Sequence, residues 1–469
     1  MVTMSASRLA EIVGGTLVAG NGGTVFRGVE IDSRGPVAGR AFFALPGERT
    51  DGHDWVDLAL RTGAKLAVVS RWDDGAAAAA SEASRGAAVV LVDDVAVALR
   101  KLATAHRAAL RCPVVAITGS TGKTSTKDFV VAALGVEQKV VATRGNRNNE
   151  LGVPLTVLEA DNDTGVLVVE MGMRAEGEIA GLCEVARPTM GLVTNIGMTH
   201  IEMLGSQEAI VRAKGELVAC IPAVGRVFLN GDDAWSRGLA DRSVAGVTWY
   251  GVSEKVDVRA IDVEVDDTGR PTMTLVSGGE EARVSLPVPG RHNAYNAAAA
   301  AAVALHIGRS LDSIARGLTH AVTTDMRMQV FTTAGGVVVV NDAYNASPAS
   351  MRAAIATLAD MRADHRRVAV LGDMAELGSL TELAHFALGE EVARRGVDVL
   401  VTVGERARRI ADGAIAEGMK PATVRPCASV EEASEVLDDL LKAGDVVLVK
   451  ASRCMGLERI VEGMLSPHV

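Results

Sequence analysis

The run GSTGKTS, Gly119, Ser120, Thr121, Gly122, Lys123, Thr124 and Ser125, is built from residue types that grip phosphate. Two glycines let backbone N–H groups approach an anion, a lysine brings a mobile positive charge, and a hydroxyl follows that can ligate magnesium. The apolar run Val114–Thr118 ahead of it reads as a buried strand, and residues 124–134 have helical spacing. The loop therefore sits on a strand-to-helix turn, with the positive end of a helix dipole facing the ligand. The general nucleotide loop has a glycine where this chain has Ile117, so the spacing is the shortened G-x-x-G-K-T. The alternative is a Gly/Ser turn with a solvated lysine. Either way the loop names no reaction.

Other polar groups close apolar runs. Glu170 ends GVLVVEMG and His200 follows TNIGMTH; together they suit a divalent metal facing a triphosphate, while singly each reads as a helix cap or a hydrogen-bonded histidine. Lys214, in VRAKGEL, reads alone as a solvated helix lysine. Asn293 and Asn296 lie three apart on one helix face, placed to read a base edge or to serve as an N-cap and a buried amide. Asp342 and Asn345, then Asp373 and Glu376, fall at strand ends, where Asp342 suits ribose hydroxyls or a helix cap. Lys450, Ser452 and Arg453 form a cationic strand end suited to a carboxylate or phosphate, or to a surface salt bridge.

The elements that must position these groups follow an α/β rhythm. At 469 residues the chain exceeds one core, and roughly 100–200 residues per domain gives three. Residues 1–93 hold three short strand candidates and a helix, followed by a low-complexity GAAAAASEASRGAA read as a surface helix or loop. Residues 94–324 carry apolar runs that suit a mostly parallel sheet covered on both faces, plus an antiparallel hairpin insertion over 256–288. Residues 325–469 repeat strand and helix in a Rossmann-like, doubly wound pattern, with ligands expected outside the carboxyl ends of strands. Net charge is -10 with no Lys/Arg run, which weighs against a nucleic-acid partner. Five scattered cysteines with no C-x-x-C pair suggest free thiols in a reducing compartment. With no signal-peptide pattern and no apolar run near 20 residues, a cytoplasmic chain without membrane insertion is expected. No G-x-S-x-G elbow or guanine-reading N-K-x-D occurs, so neither a nucleophilic hydrolase nor a GTPase switch is indicated.

TGSTGKTSTK, EMGMRAEGEIAGL, TNIGMTHIEMLGS, AKGEL, GRHNAYNAAAA, NDAYNASPASM and VAVLGDMAELG occur in an order that resembles the Mur ligases along nearly the whole chain. These are cytoplasmic ATP-dependent amide ligases of peptidoglycan synthesis, and their ATP loop has the short T-G-x-x-G-K-T form. The last two segments, with DSRGPVAGRAFFALPGERTDGH, point to the member that joins D-alanyl-D-alanine to the terminal carboxylate of UDP-N-acetylmuramoyl-tripeptide through an acyl phosphate. The member adding the third residue should carry D-N-P-R, which is absent here; folylpolyglutamate synthases should lack the DSR-containing domain.

The resemblance implies a UDP-sugar-binding, an ATP-binding and a ligase domain in that order, with ATP and two Mg2+ ions; a monomer is expected. Gly119 to Ser125 would bind the triphosphate. Thr124, Glu170 and His200 would hold metal. Lys214 would be carbamylated and orient the second ion, making Lys123, Glu170, His200 and Lys214 the catalytic set. Asn293 and Asn296 would read adenine, with Arg327 and Asp342 completing the ATP site. Ser33 and Arg34 would touch UDP, Asn146 and Asn149 the sugar-peptide, and Lys450 and Arg453 substrate. Two positions depart from the family pattern: Ser347 where asparagine is usual, and Ala451 where glycine is expected.

Overall fold

A computed structural model describes residues 1–47, 50–72, 86–199 and 201–465. His200 and most of the alanine-rich run fall outside the described residues.

The central sheet has nine strands in the order Glu280–Ser285, Pro271–Ser277, Val258–Val265, Gly246–Gly251, Arg226–Asn230, Met190–Val193, Val114–Thr118, Val166–Glu170, Val140–Ala142. From Val140 to Val258 the pairing is parallel. Every residue of Val114–Thr118 and Val166–Glu170 is buried, as continuous apolar runs require when helices cover both faces. On one face lie helices Lys123–Gly135, Asn293–His306 and Leu311–Thr319. Aromatic residues are only 3% of the chain, and the alanine run of Asn293–His306 supplies apolar packing in their place. Methyl side chains let this helix settle closely on the neighbouring helix and strands, with Ala297 to Ala304 at most 1% exposed.

Period-two alternation over 256–288 marks antiparallel strands correctly but does not reveal what they pair with. Val258–Val265 pairs in parallel with Gly246–Gly251, so the meander extends the central sheet. Its turn also reaches the C-terminal unit. The N–H of Arg362 donates to the carbonyl of Asp267 at 2.8 Å, and Arg291 pairs with Asp360 at 3.1 Å.

The C-terminal sheet has six strands in the order Gln329–Thr332, Val338–Asn341, Val446–Lys450, Arg367–Gly372, Val399–Val403, Val424–Cys427, parallel after the first pair. Separate apolar clusters cover its two faces, the doubly wound arrangement. The N-terminal unit carries a five-stranded sheet, Thr16–Ala19, Ala88–Leu91, Leu66–Val69, Ala41–Phe43, Val29–Glu30. Helix Val95–Ala109 packs on Ala6–Val13 of that unit and on Gly152–Glu159 and Glu178–Ala186 of the central one, within a single apolar cluster. None of the helices among the described residues is long and apolar enough to cross a membrane.

Candidate active site

Ile117 belongs to the sheet rather than the loop. It is fully buried and pairs with Glu170 and Leu192 on the neighbouring strands, so the loop starts two residues later, at Gly119. Gly119 sits at φ +143° and Gly122 at φ +78°. A Cβ on Gly119 would run into the Thr194 hydroxyl and lie 3.0 Å from Thr194 Cβ, and one on Gly122 would lie 2.9 Å from Asn296 Oδ1. The residues after strand Met190–Val193 pin the loop. Thr194 Oγ1 donates to the carbonyl of Thr121 (2.6 Å), and Asn195 Oδ1 accepts both the N–H and the hydroxyl of Thr121 (3.1 Å each). Ser120 exchanges hydrogen bonds with Gly197. Lys123 Nζ curls back to donate to the Gly119 carbonyl at 2.8 Å.

Beside the loop, Glu170 is held at both oxygens. Thr124 Oγ1 donates to Oε2 and Asn148 Nδ2 to Oε1, each at 2.8 Å, while the Thr143 hydroxyl accepts the Glu170 N–H at 2.9 Å. Lys214, on helix Gln207–Cys220, is 2% exposed, which overturns its solitary reading as a solvated lysine. Burial first, and the charge of Lys123 second, hold its amine well below the usual lysine range. Lys123 itself is lowered by burial; Glu170 opposes that shift and Arg327 adds to it. No group of three or more His, Cys, Asp or Glu at metal-holding distance occurs among the described residues. The Thr124 hydroxyl and the Glu170 carboxylate do converge, a hard oxygen pair of the kind magnesium takes.

Asn296 Nδ2 donates to Asn293 Oδ1 (2.9 Å), Asn293 Nδ2 to the Pro289 carbonyl (2.8 Å), and Thr126 Oγ1 to Asn296 Oδ1 (3.0 Å). The pair is buried and fixed in orientation, and both residues line the cavity. Across from it, Asp342 pairs with Lys450 at 2.6 Å, and Lys450 Nζ also donates to the Asn345 carbonyl at 2.8 Å. Lys450 is 3% exposed and its charge is met by Asp342, so of its two readings the ion pair is the one seen, buried rather than on the surface. Ser452 Oγ accepts the Ala375 N–H, a structural task. The Arg327 guanidinium lies 4.3 Å from the Tyr344 ring centre, and Arg453 is half-exposed beside Glu458. The two departures from the family pattern have local roles. Ser347 forms a capping box on helix Pro348–Asp360, and the methyl of Ala451 is buried against Gly372.

One cavity of about 1120 Å³ joins these groups. Residues Ser120 to Ser125, Asn146, Asn149, Glu170, Lys214, Asn293, Asn296, Arg327, Asp342, Lys450 and Arg453 all line it. Ser33 and Arg34 do not; Arg34 is exposed and paired with Asp32 at 2.8 Å. Asn148, Thr194, Asn195, His292 and Tyr344 also border the cavity, and sequence reasoning passed over them. For Asn148 and Asn195 a signal was present, since each is an amide in a Gly-containing segment following a strand.

A short phosphate loop at the end of a parallel strand, facing strand ends of a second, doubly wound sheet across one cavity, defines a P-loop nucleotide-binding enzyme. Comparison with known proteins narrows that class. Residues 25–107 match the Mur ligase family catalytic domain, 117–304 the Mur ligase middle domain, and 326–453 the Mur ligase glutamate ligase domain. A UDP-N-acetylmuramoyl-tripeptide--D-alanyl-D-alanine ligase of Bacillus subtilis (strain 168) is 36% identical, covering 99% of each chain. The crystal structure of MurF from Acinetobacter baumannii superimposes with a TM-score of 0.86 at 30% identity over 99% of both chains. MurF ligase from Thermotoga maritima, solved in complex with ADP, gives 0.76 at 29%, covering 93% of this chain and 96% of that one. The chain belongs to the Mur ligase family.

Proposed function

We propose that this protein joins D-alanyl-D-alanine to the terminal carboxylate of UDP-N-acetylmuramoyl-tripeptide at the expense of ATP, releasing ADP and phosphate, as a cytoplasmic monomer in peptidoglycan precursor synthesis. Full-length similarity to ligases carrying that name supports the substrates. The observation that carries the chemistry is the shared cavity that the phosphate loop, the Glu170–Thr124 pair and Arg327 all line. We assign residues 1–93 to the UDP-sugar, 94–324 to ATP and 325–469 to ligation.

A carboxylate is a poor acyl donor, so the γ-phosphate is first transferred to it; the dipeptide amine then attacks the acyl phosphate and phosphate leaves. Both steps gather negative charge. Lys123 and Arg327 would offset it, the electrostatic route to phosphoryl transfer. Asn293 and Asn296, locked by Thr126 and Pro289, would read the adenine edge. Asp342 would contribute to ATP binding from the last sheet, Ser33 and Arg34 to holding the UDP moiety, and Asn146 and Asn149 to the sugar-peptide. Glu170 and Thr124 suit magnesium, with His200 in the same assignment; bound Mg2+ would supply neutralisation of the charge that the reaction gathers. Glu170 leaves the set short of a second anion. Lys214 supports the remedy: a buried amine kept neutral is the nucleophilic form, and its attack on CO2 forms an N–C bond, releases a proton and leaves a carbamate.

The test is phosphate release with ATP, Mg2+, UDP-N-acetylmuramoyl-tripeptide and D-alanyl-D-alanine, each omitted in turn. Release is expected only with all present. Turnover that ignores the dipeptide sinks the ligase reading.

A further inference from the structure

Arg327 borders the cavity from the linker ahead of strand Gln329–Thr332, and that linker is strained. Met326 and Met328, on either side of it, sit at φ +58° and +54° without being glycine. Contacts at both ends must hold such a segment in place. On its C-terminal side, the Met328 N–H donates to Asp342 Oδ1 and the Tyr344 N–H to the Met326 carbonyl, both at 3.3 Å.

On its N-terminal side the anchor is Thr324. Its N–H donates to Asp128 Oδ2 at 2.7 Å and its hydroxyl to Asp128 Oδ1 at 3.3 Å. Asp128 pairs with Lys127 at 2.7 Å, and the two residues are 8% and 5% exposed. Lys127 Nζ also reaches the Thr324 hydroxyl (3.5 Å) and donates to the Thr143 carbonyl (3.1 Å); Thr143 is the residue whose hydroxyl accepts the Glu170 N–H. Both members of the pair lie on helix Lys123–Gly135, whose first residue is the loop lysine. A buried ion pair adds little net stability over an apolar substitute, because desolvation offsets the attraction, so its presence asks for another role. Here it touches the three elements that converge on the cavity: the phosphate-loop helix, the Glu170 strand through Thr143, and the linker.

We propose that Lys127 and Asp128 are positioning residues for the ligase reaction, fixing through Thr324 the linker that aims Arg327 at the phosphate end of the cavity. The inference rests on the ligase reading above. Neither residue lines the cavity, so any effect on turnover must pass through another group, and Arg327 is three residues from the anchor.

The experiment is a double-mutant cycle in the full chain, with Asp128→Asn, Arg327→Ala and the double variant, product being quantified by mass spectrometry so that slow variants are measurable. Asp128→Asn is expected to lower kcat about 10- to 100-fold while KM for ATP changes less than threefold, as displacement of a charge-stabilising group by about an ångström does. With Arg327 already removed, the same change should cost less than a further threefold. Equal losses in both backgrounds overturn the inference, as does a variant with wild-type kcat and only a lower melting temperature. Should Asp128→Asn fail to fold, Thr324→Val removes the hydroxyl contacts alone and is expected to show a smaller kcat loss with the same dependence on Arg327; equal losses there overturn it too. Wild-type protein reports separately on the parent reading: without dipeptide-dependent turnover the ligase assignment fails, whereas an active enzyme with an additive cycle rejects only the positioning role.

Discussion

Gly119→Ala probes the phosphate loop with one methyl group. The native φ of +143° lies where an L side chain is disfavoured by about 1–3 kcal/mol. The added carbon would also sit 3.0 Å from Thr194 Cβ, inside the roughly 3.5–4.0 Å of ordinary carbon contacts, and would collide with the Thr194 hydroxyl. Thr194 cannot withdraw freely, because that hydroxyl holds the Thr121 carbonyl at 2.6 Å. The loop must therefore move, and with it the N–H groups that would meet the phosphates. A strain of about 1–3 kcal/mol, if relaxed at the cost of phosphate contacts, corresponds to a loss of about 5- to 150-fold in kcat/KM for ATP. The assay is phosphate release at varied ATP with the other substrates saturating, alongside thermal unfolding. Gly418→Ala is the control, since Gly418 also has positive φ (+106°) but open space around it and no place in the cavity. It should lower stability by about 1–2 kcal/mol and leave turnover alone. A Gly119→Ala enzyme within threefold of wild type would refute the claim that this loop binds phosphate through its backbone.

Glu170→Gln keeps shape and loses charge; at least a 100-fold fall in turnover and a higher Mg2+ requirement are expected, and an unchanged magnesium titration contradicts the metal assignment. Lys214→Ala should be inactive and partly rescued by short-chain carboxylates. Lys214 also makes a stability prediction with a definite sign. Its folded pKa lies below the unfolded value, so between the two the unfolded chain binds the extra proton and stability rises with pH. Lys214→Met, compared by denaturant titration in CO2-depleted buffer, should therefore exceed wild-type stability at pH 7, with the gap closing as the pH nears the unfolded lysine value; a gap that widens contradicts the buried-amine account. Leu102→Ala, in the core shared by the N-terminal and central units, should cost about 2–5 kcal/mol, with both units unfolding together.

Much of the cavity was legible because its parts are local. The phosphate loop, its flanking strand and helix, and the Asn293–Asn296 spacing each lie within a dozen residues, where periodicity and glycine placement carry the signal. What was not legible depends on partners far along the chain. Which of the two readings of Lys450 applies is decided by Asp342, more than a hundred residues earlier, which neutralises it. The clamp on Thr121 comes from Thr194 and Asn195, brought in by strand pairing between Val114–Thr118 and Met190–Val193. Lys214 illustrates the same point from the opposite side, since helix spacing alone cannot tell a buried lysine from a solvated one. The meander's role as a brace was hidden because alternation specifies which face is buried, not which edge a strand joins.

The apolar cluster that helix Val95–Ala109 shares between the N-terminal and central units has a consequence for substrate choice. The first residues are tied to the central unit as well, through the Val2 N–H to the Leu158 carbonyl at 2.8 Å. The two units would thus act as a single gauge. Under the proposed function, the nucleotide-sugar would be seated at one end of that gauge and the phosphate loop would stand at the other. Each peptide residue spans at most about 3.3–3.6 Å, so a chain one residue short would leave its carboxylate beyond reach of the γ-phosphate. Peptide length would then be measured by a packed core remote from the chemistry, before any side chain of the substrate is read.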